Sequence, residues 1–164
     1  MSASKPLLSL PALPKAGARL DLPSLAGSSD ALALAEIAVG NPGKLLAVVT
    51  ANAADAQRLL DEIPWFAPNL RVRLLPDWET LPYDTFSPHQ DLVSERLATL
   101  WAATQGEIDI LLVPASTAVY RLAPPAFLAA YTFAFKKGET LAAEKFRNQV
   151  TLAAYTPVKK VVSP

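Results

Sequence analysis

The chain has 164 residues, 51% of them hydrophobic and 18% charged, enough apolar material for one ordinary domain and the start of a second. Fifteen lysines and arginines balance fifteen aspartates and glutamates, so overall charge points to neither nucleic acid nor membrane, and such a contact needs a local basic patch. The absence of cysteine excludes disulfides and thiolate metal sites and fits a reducing cytoplasm, and no apolar run reaches the roughly 20 residues that span a bilayer.

Residues 1–21 hold scattered lysines and no continuous hydrophobic stretch, and read as a flexible lead-in rather than a signal peptide. Leu25-Ala26-Gly27-Ser28-Ser29-Asp30 is a small-residue turn. A helix is expected over 31–39, with Ser28 or Ser29 capping its free N–H groups and Asp30 at its positive end. Asn41-Pro42-Gly43 stops it. Residues 44–50 (KLLAVVT) have the texture of a strand buried on both faces. Ala56, Leu59, Leu60 and Ile63 then recur at helical spacing over 53–63.

A second strand is expected over 72–75. It leads into Leu75-Pro76-Asp77-Trp78-Glu79-Thr80-Leu81-Pro82-Tyr83-Asp84-Thr85-Phe86-Ser87-Pro88-His89-Gln90. The prolines of that stretch fix φ and withhold N–H donors, so it reads as an ordered loop that packs or presents a surface. Ser87-Pro88 signals a helix over 91–103 with Val93, Leu97, Leu100 and Trp101 on its apolar stripe. Residues 108–113 (IDILLV) form a third buried strand, Ser116 caps a short helical turn through Tyr120, and Pro124-Pro125 opens a helix to Ala130. Short apolar strands alternating with amphipathic helices argue for an α/β domain with a mainly parallel sheet. After Tyr131 the texture changes: 132–135, a Lys136-Lys137-Gly138 turn, a helix over 141–155 and a strand over 158–162. The expected division is a lead-in (1–21), an α/β domain (22–131) and the truncated start of a small α+β domain (132–164).

A strand-like stretch, the turn at Gly27, Ser28, Ser29 and Asp30, and a helix together have the layout of a phosphate-binding loop. That chemistry needs several glycines, a lysine for the terminal phosphates and a hydroxyl for Mg²⁺. The turn offers one glycine and no lysine, and Asp30 would repel a triphosphate. A capped turn is preferred. Asp61-Glu62 fall at a helix end, not after a strand where an ATPase holds Mg²⁺, and read as solvated charges. His89 is the only histidine and lacks partners for a metal site; beside Ser87 it fits local hydrogen bonding rather than a triad. Trp78, Tyr83 and Phe86 anchor the loop or stack on a partner, with Glu79, Asp84 and Arg96 as further candidates for loop anchoring or interaction. Acidic Asp77, Glu79, Asp84 and Asp91 oppose Arg71, Arg73 and Arg96, which disfavours direct DNA binding.

The segment LPDWETLPYDTFSPHQDLVSERLATLW, residues 75–101, resembles the bacterial transcription-repair coupling factor (Mfd) family. The likeness continues more weakly through 110–120 and 135–139. It implies a helicase-like α/β fold similar to domain 1a of UvrB, with a degenerate phosphate loop at 26–31, followed by the start of a small inserted α+β domain near Thr132. Residues 78–93 are too few to build the aromatic DNA-clamping hairpin of UvrB. The resemblance implies a full-length ATP-dependent DNA translocase that displaces stalled RNA polymerase and recruits UvrA for nucleotide excision repair. ATP and Mg²⁺ would belong to its downstream motor, and UvrA would be met through the inserted domain beyond Pro164. For this chain it implies no cofactor, no catalysis and a scaffold role in contact with other domains of the same protein. The alternatives are an autonomous nucleotide-binding module or a DNA-binding module.

Overall fold

The structure, a computed structural model, describes residues 6–80, 85–131, 137–138, 140–152 and 158. The chain forms two compact units, Met1–Leu122 and Ala123–Pro164.

The first unit is built on three parallel strands, β1 (Leu46–Thr50), β2 (Val72–Leu74) and β3 (Ile110–Pro114), in the order β1-β3-β2. Ile110 is opposite Leu46 on one side and Val72 on the other, so β3 is the central strand. Helices α1 (Ser29–Val39), α2 (Ala53–Phe66), α3 (Gln90–Thr104) and α4 (Ala115–Ala118) complete the unit. The α/β reading with a mainly parallel sheet is what the structure shows.

Side chains alternate across β3. Ile110 and Leu112 face a core made with Ala31, Ala35 and Ala38 of α1 and Ala56, Leu59 and Ile63 of α2. Leu111 faces a second core with Leu75 and Ile108, against which Leu100, Ala102, Ala103 and Val113 pack. This is why β3 reads as an unbroken apolar run. The alanines of α1 repeat at intervals of four and three, and their small side chains let α1 lie close against its neighbours.

Asn52 starts α2: extended at φ −150°, ψ 175°, its side-chain oxygen accepts the Asp55 N–H at 2.8 Å. The helix runs past Pro64 to Phe66, although Pro64 cannot donate to the Leu60 carbonyl. Helix α3 ends at Gly106, whose φ of 69° suits glycine, and the Glu107 N–H returns to the Ala102 carbonyl at 2.9 Å. Asp109, before β3, accepts from the backbone and guanidinium of Arg71, before β2, at 2.7–3.0 Å, which pins the two strand starts in register. Upstream of α1, the Leu7 and Leu8 N–H groups donate to the Glu36 carboxylate.

Three readings change. Strand β1 is not buried on both faces: Ala47 and Val49 are exposed, because β1 is an end strand with nothing described over that side. The face of α3 is rotated: Arg96 and Thr99 are buried while Leu97 is exposed, since a buried arginine is invisible to hydrophobic periodicity. His89, just after the Ser87-Pro88 start signal, caps α3, its Nδ1 accepting the Asp91 N–H at 3.3 Å. Ser116 caps nothing; its hydroxyl donates to Asp77 at 2.7 Å.

In the second unit, α5 (Pro125–Tyr131) begins with Phe127 and Leu128 N–H bonds to the Pro124 carbonyl, and α6 spans Ala143–Leu152. The expected segments 132–135 and 159–162 lie outside the described residues.

Candidate functional site

The turn at Gly27–Asp30, read as a capped turn in preference to a phosphate loop, lacks the Ser28 side-chain cap. No strand is described ahead of α1, so the strand–loop–helix layout of a phosphate loop is not there. Gly27 sits at φ 56°, a left-handed position that lets the chain reverse into the helix. Ser28 makes no side-chain cap: at φ −78°, ψ 9° it is already close to helical, and its hydroxyl does not reach the first free N–H groups. Asp30 takes that part instead, accepting the Ala31 N–H at 2.7 Å.

Asp30 also receives a cation that the sequence reading did not anticipate. Arg58 of α2 reaches across to it through Nη2 at 2.6 Å and Nη1 at 3.2 Å, and binds Glu62 through Nη1 at 2.7 Å. The paired guanidinium holds the Asp30 carboxyl below its ordinary range, and the carboxylates raise the Arg58 pKa in turn. Glu62 is therefore an ion-pair partner rather than a solvated charge, while Asp61 stays exposed beside Gln57. The Arg58–Glu62 spacing of four was a legible helical pair; its reach to Asp30 was not. Beside this network lies a hollow of about 410 Å³ with Leu22, Leu25, Leu34, Val48, Val49 and Thr50 in its walls and Asp30, Asp55 and Arg58 on it.

The second cluster gathers on the Trp78 loop. Arg96 of α3, only 2% exposed, donates to the Pro76 carbonyl and lies over the Trp78 ring at 4.2 Å. Burial pulls its pKa down, while Asp77 and Tyr120 act the other way. Among the described residues its Nε has no hydrogen-bond partner, and neither does the buried Thr117 hydroxyl. Asp77 ties the loop twice, accepting from the Trp78 N–H at 2.7 Å and from Ser116 at 2.7 Å. Glu79 follows at φ 56°, an uncommon backbone for a non-glycine residue.

One face of the Trp78 indole is thus taken by the Arg96 guanidinium. Phe86 is 76% exposed and does not join them. Glu79 is exposed; Tyr83 and Asp84 lie outside the described residues. Of the three arginines nearest in sequence, Arg71 is bonded to Asp109 and Arg96 is buried, while Arg73 stays exposed. Among the described residues no three His, Asp or Glu side chains converge as a metal site, and no helix is long and apolar enough to cross a membrane.

No protein-family model matches the chain. Over 148 residues, 90% of its length, it is 39% identical to the transcription-repair-coupling factor of Escherichia coli, strain K12. The chain belongs to the transcription-repair-coupling factor family. The factor of Haemophilus influenzae is 40% identical over 136 residues, 82% of the chain, and that of Mycobacterium tuberculosis is 40% identical over 86 residues, 52% of the chain. The matched stretches make up 13% and 12% of the Escherichia and Haemophilus factors, so the chain spans about an eighth of the length of those relatives. The resemblance drawn from residues 75–101 therefore names the right family.

Proposed function

We propose that this chain is the UvrB-like module of a coupling factor, without nucleotide chemistry or cofactor of its own, working through protein contacts. The full-length factor, on this reading, is an ATP-dependent DNA translocase of the cytoplasm that displaces stalled RNA polymerase and recruits UvrA for nucleotide excision repair. ATP and Mg²⁺ serve its downstream motor, and UvrA meets the small inserted domain. The module docks on other domains of the same protein and restrains the motor until polymerase is engaged.

The supporting observation is the state of Arg58. It is the cation bonded into the Gly27 turn, and it is already held by Asp30 and Glu62 at 2.6–2.7 Å. A triphosphate would have to break that pair and face two released carboxylates. Calorimetric titration of the 164-residue chain with Mg–ATP should stay flat into the millimolar range. Saturable heat that disappears in Ser28→Ala or Ser29→Ala would overturn the reading. For restraint, the full-length factor lacking this region should hydrolyse ATP faster than the intact one, and equal rates would count against it.

A further inference from the structure

Helix α2 ends on an aromatic pair turned to solvent, Trp65 at 88% exposure and Phe66 at 43%. Trp65 follows Pro64, whose nitrogen carries no hydrogen, so the Leu60 carbonyl lacks the donor a helix normally supplies four residues on. Asp61 is exposed and stands four residues before Trp65, which makes carboxylate and indole neighbours on one helix face. It accepts from Gln57 Nε2 at 3.2 Å. The last turn of α2 carries no basic residue.

Each of these groups attracts a cation for a separate reason. A helix C-terminus is the negative pole of its dipole, a carboxylate takes a charged donor, and an indole face draws a cation through its quadrupole. The arginines bracketing the site in sequence are engaged elsewhere, Arg58 with Asp30 and Glu62, and Arg71 with Asp109. The first unit shows the same parts completed at another place. There Arg96 lies over the Trp78 indole at 4.2 Å, donates to the Pro76 carbonyl and feels the Asp77 charge. Indole, carbonyl and carboxylate recur together at the end of α2.

We propose that the end of α2 is a docking point for an arginine presented by a separate protein, its guanidinium stacking on Trp65 and bonding Asp61 and the Leu60 carbonyl. Arginine fits better than lysine, because a planar guanidinium stacks on an indole and still presents donors at its edge. Gln57, Asp61 and Asn69 are exposed around the aromatic pair. An aromatic anchor ringed by polar groups is the form of a non-obligate contact, in which tryptophan and arginine carry much of the binding. That favours a partner that binds and leaves over a permanently packed domain. This docking point rests on the protein-contact reading of the chain and gives one partner its chemistry.

The indole N–H resonance of Trp65, assigned by its loss in Trp65→Phe, reports on the 164-residue chain during titration with capped peptides. These alternate glycine with arginine, with lysine or with glutamate. The arginine peptide should shift the resonance saturably and bind at least ~10-fold more tightly than the lysine peptide, with no response to glutamate. Asp61→Asn should weaken the arginine peptide several-fold and melt like the parent, since Asp61 is exposed. Equal binding of arginine and lysine peptides, a response to glutamate, or arginine binding unchanged in Asp61→Asn overturns the proposal. So does a Trp65 resonance that moves with protein concentration alone, which assigns the site to a second copy. A response to phosphatidylglycerol vesicles in place of the arginine peptide assigns it to a lipid surface and also overturns it. In the full-length factor Trp65 should respond to the arginine peptide as in the short chain; loss of the response there means another domain holds the site, and overturns the separate partner. None of these outcomes alters the Mg–ATP titration, so the docking point and the protein-contact reading fail separately.

Discussion

Truncating Arg96 to alanine tests whether the Trp78 loop is held by one buried side chain. The arginine is 2% exposed, donates to the Pro76 carbonyl and lies 4.2 Å from the Trp78 ring centroid. A charged donor on a buried carbonyl contributes about 1.5–3 kcal/mol and a desolvated cation–π contact about 1–2 kcal/mol. Each buried methylene of the stem adds about 0.8 kcal/mol. Against these stands the cost of a buried charge whose Nε has no partner, about 1–3 kcal/mol, which the substitution removes. The balance is a loss of about 2–4 kcal/mol, which lowers the melting temperature of a chain this size by about 5–15 °C. Circular dichroism melts of Arg96→Ala, Trp78→Ala and the double variant close a cycle, in which a coupling of about 1–2 kcal/mol is expected. Arg96→Met keeps the stem and discards the unmet charge, and should cost only about 1 kcal/mol. An alanine variant within about 0.5 kcal/mol of the parent, or a coupling indistinguishable from zero, would refute the anchoring role.

Asn52→Ala removes the cap of α2 and should cost about 1 kcal/mol, read as a fall of roughly 2–4 °C in melting temperature. Ser116→Ala cuts the 2.7 Å tether to Asp77. It should cost about 0.5–1 kcal/mol globally while speeding amide exchange at Trp78 roughly several-fold. The Arg71 guanidinium holds the Asp109 carboxyl below its ordinary 3.8. A carboxyl whose folded pKa lies below its unfolded one gives its full stabilisation above pH 3.8, and loses it as pH falls through the depressed folded value. Asp109→Asn should therefore melt at temperatures that differ less between pH 7 and pH 3 than those of the parent, and an unchanged difference would sink the assignment.

The α/β architecture was legible because central strands and amphipathic helices write their burial directly into the order of apolar residues. IDILLV reads as a strand with two covered faces, and β3 has them. KLLAVVT reads the same way, yet β1 lies at the sheet's end; an apolar run reports what a strand is able to bury, not what covers it. The α3 stripe failed for the opposite reason. Its most buried side chain is a guanidinium, paid for by a carbonyl and an indole that come from a different part of the chain. Capping depends on the backbone as much as on the side chain: Asn52 is extended and caps, whereas Ser28 has the right hydroxyl on a nearly helical backbone. The Asp30–Arg58 contact bridges 28 positions, beyond the reach of any local pattern.

The carboxylate of Glu36, gripping two successive amides at Leu7 and Leu8, gives the residues ahead of α1 a structural role. Pro6, Leu8 and Leu10 lie beside Glu36 and Ile37 around a shallow hollow of about 210 Å³. Cutting the polypeptide at residue 20 for expression would strip this covering from the outer side of the helix. It would leave a half-buried isoleucine and an acid facing water, and the trimmed product would be stickier than the parent, though every strand of the sheet was retained.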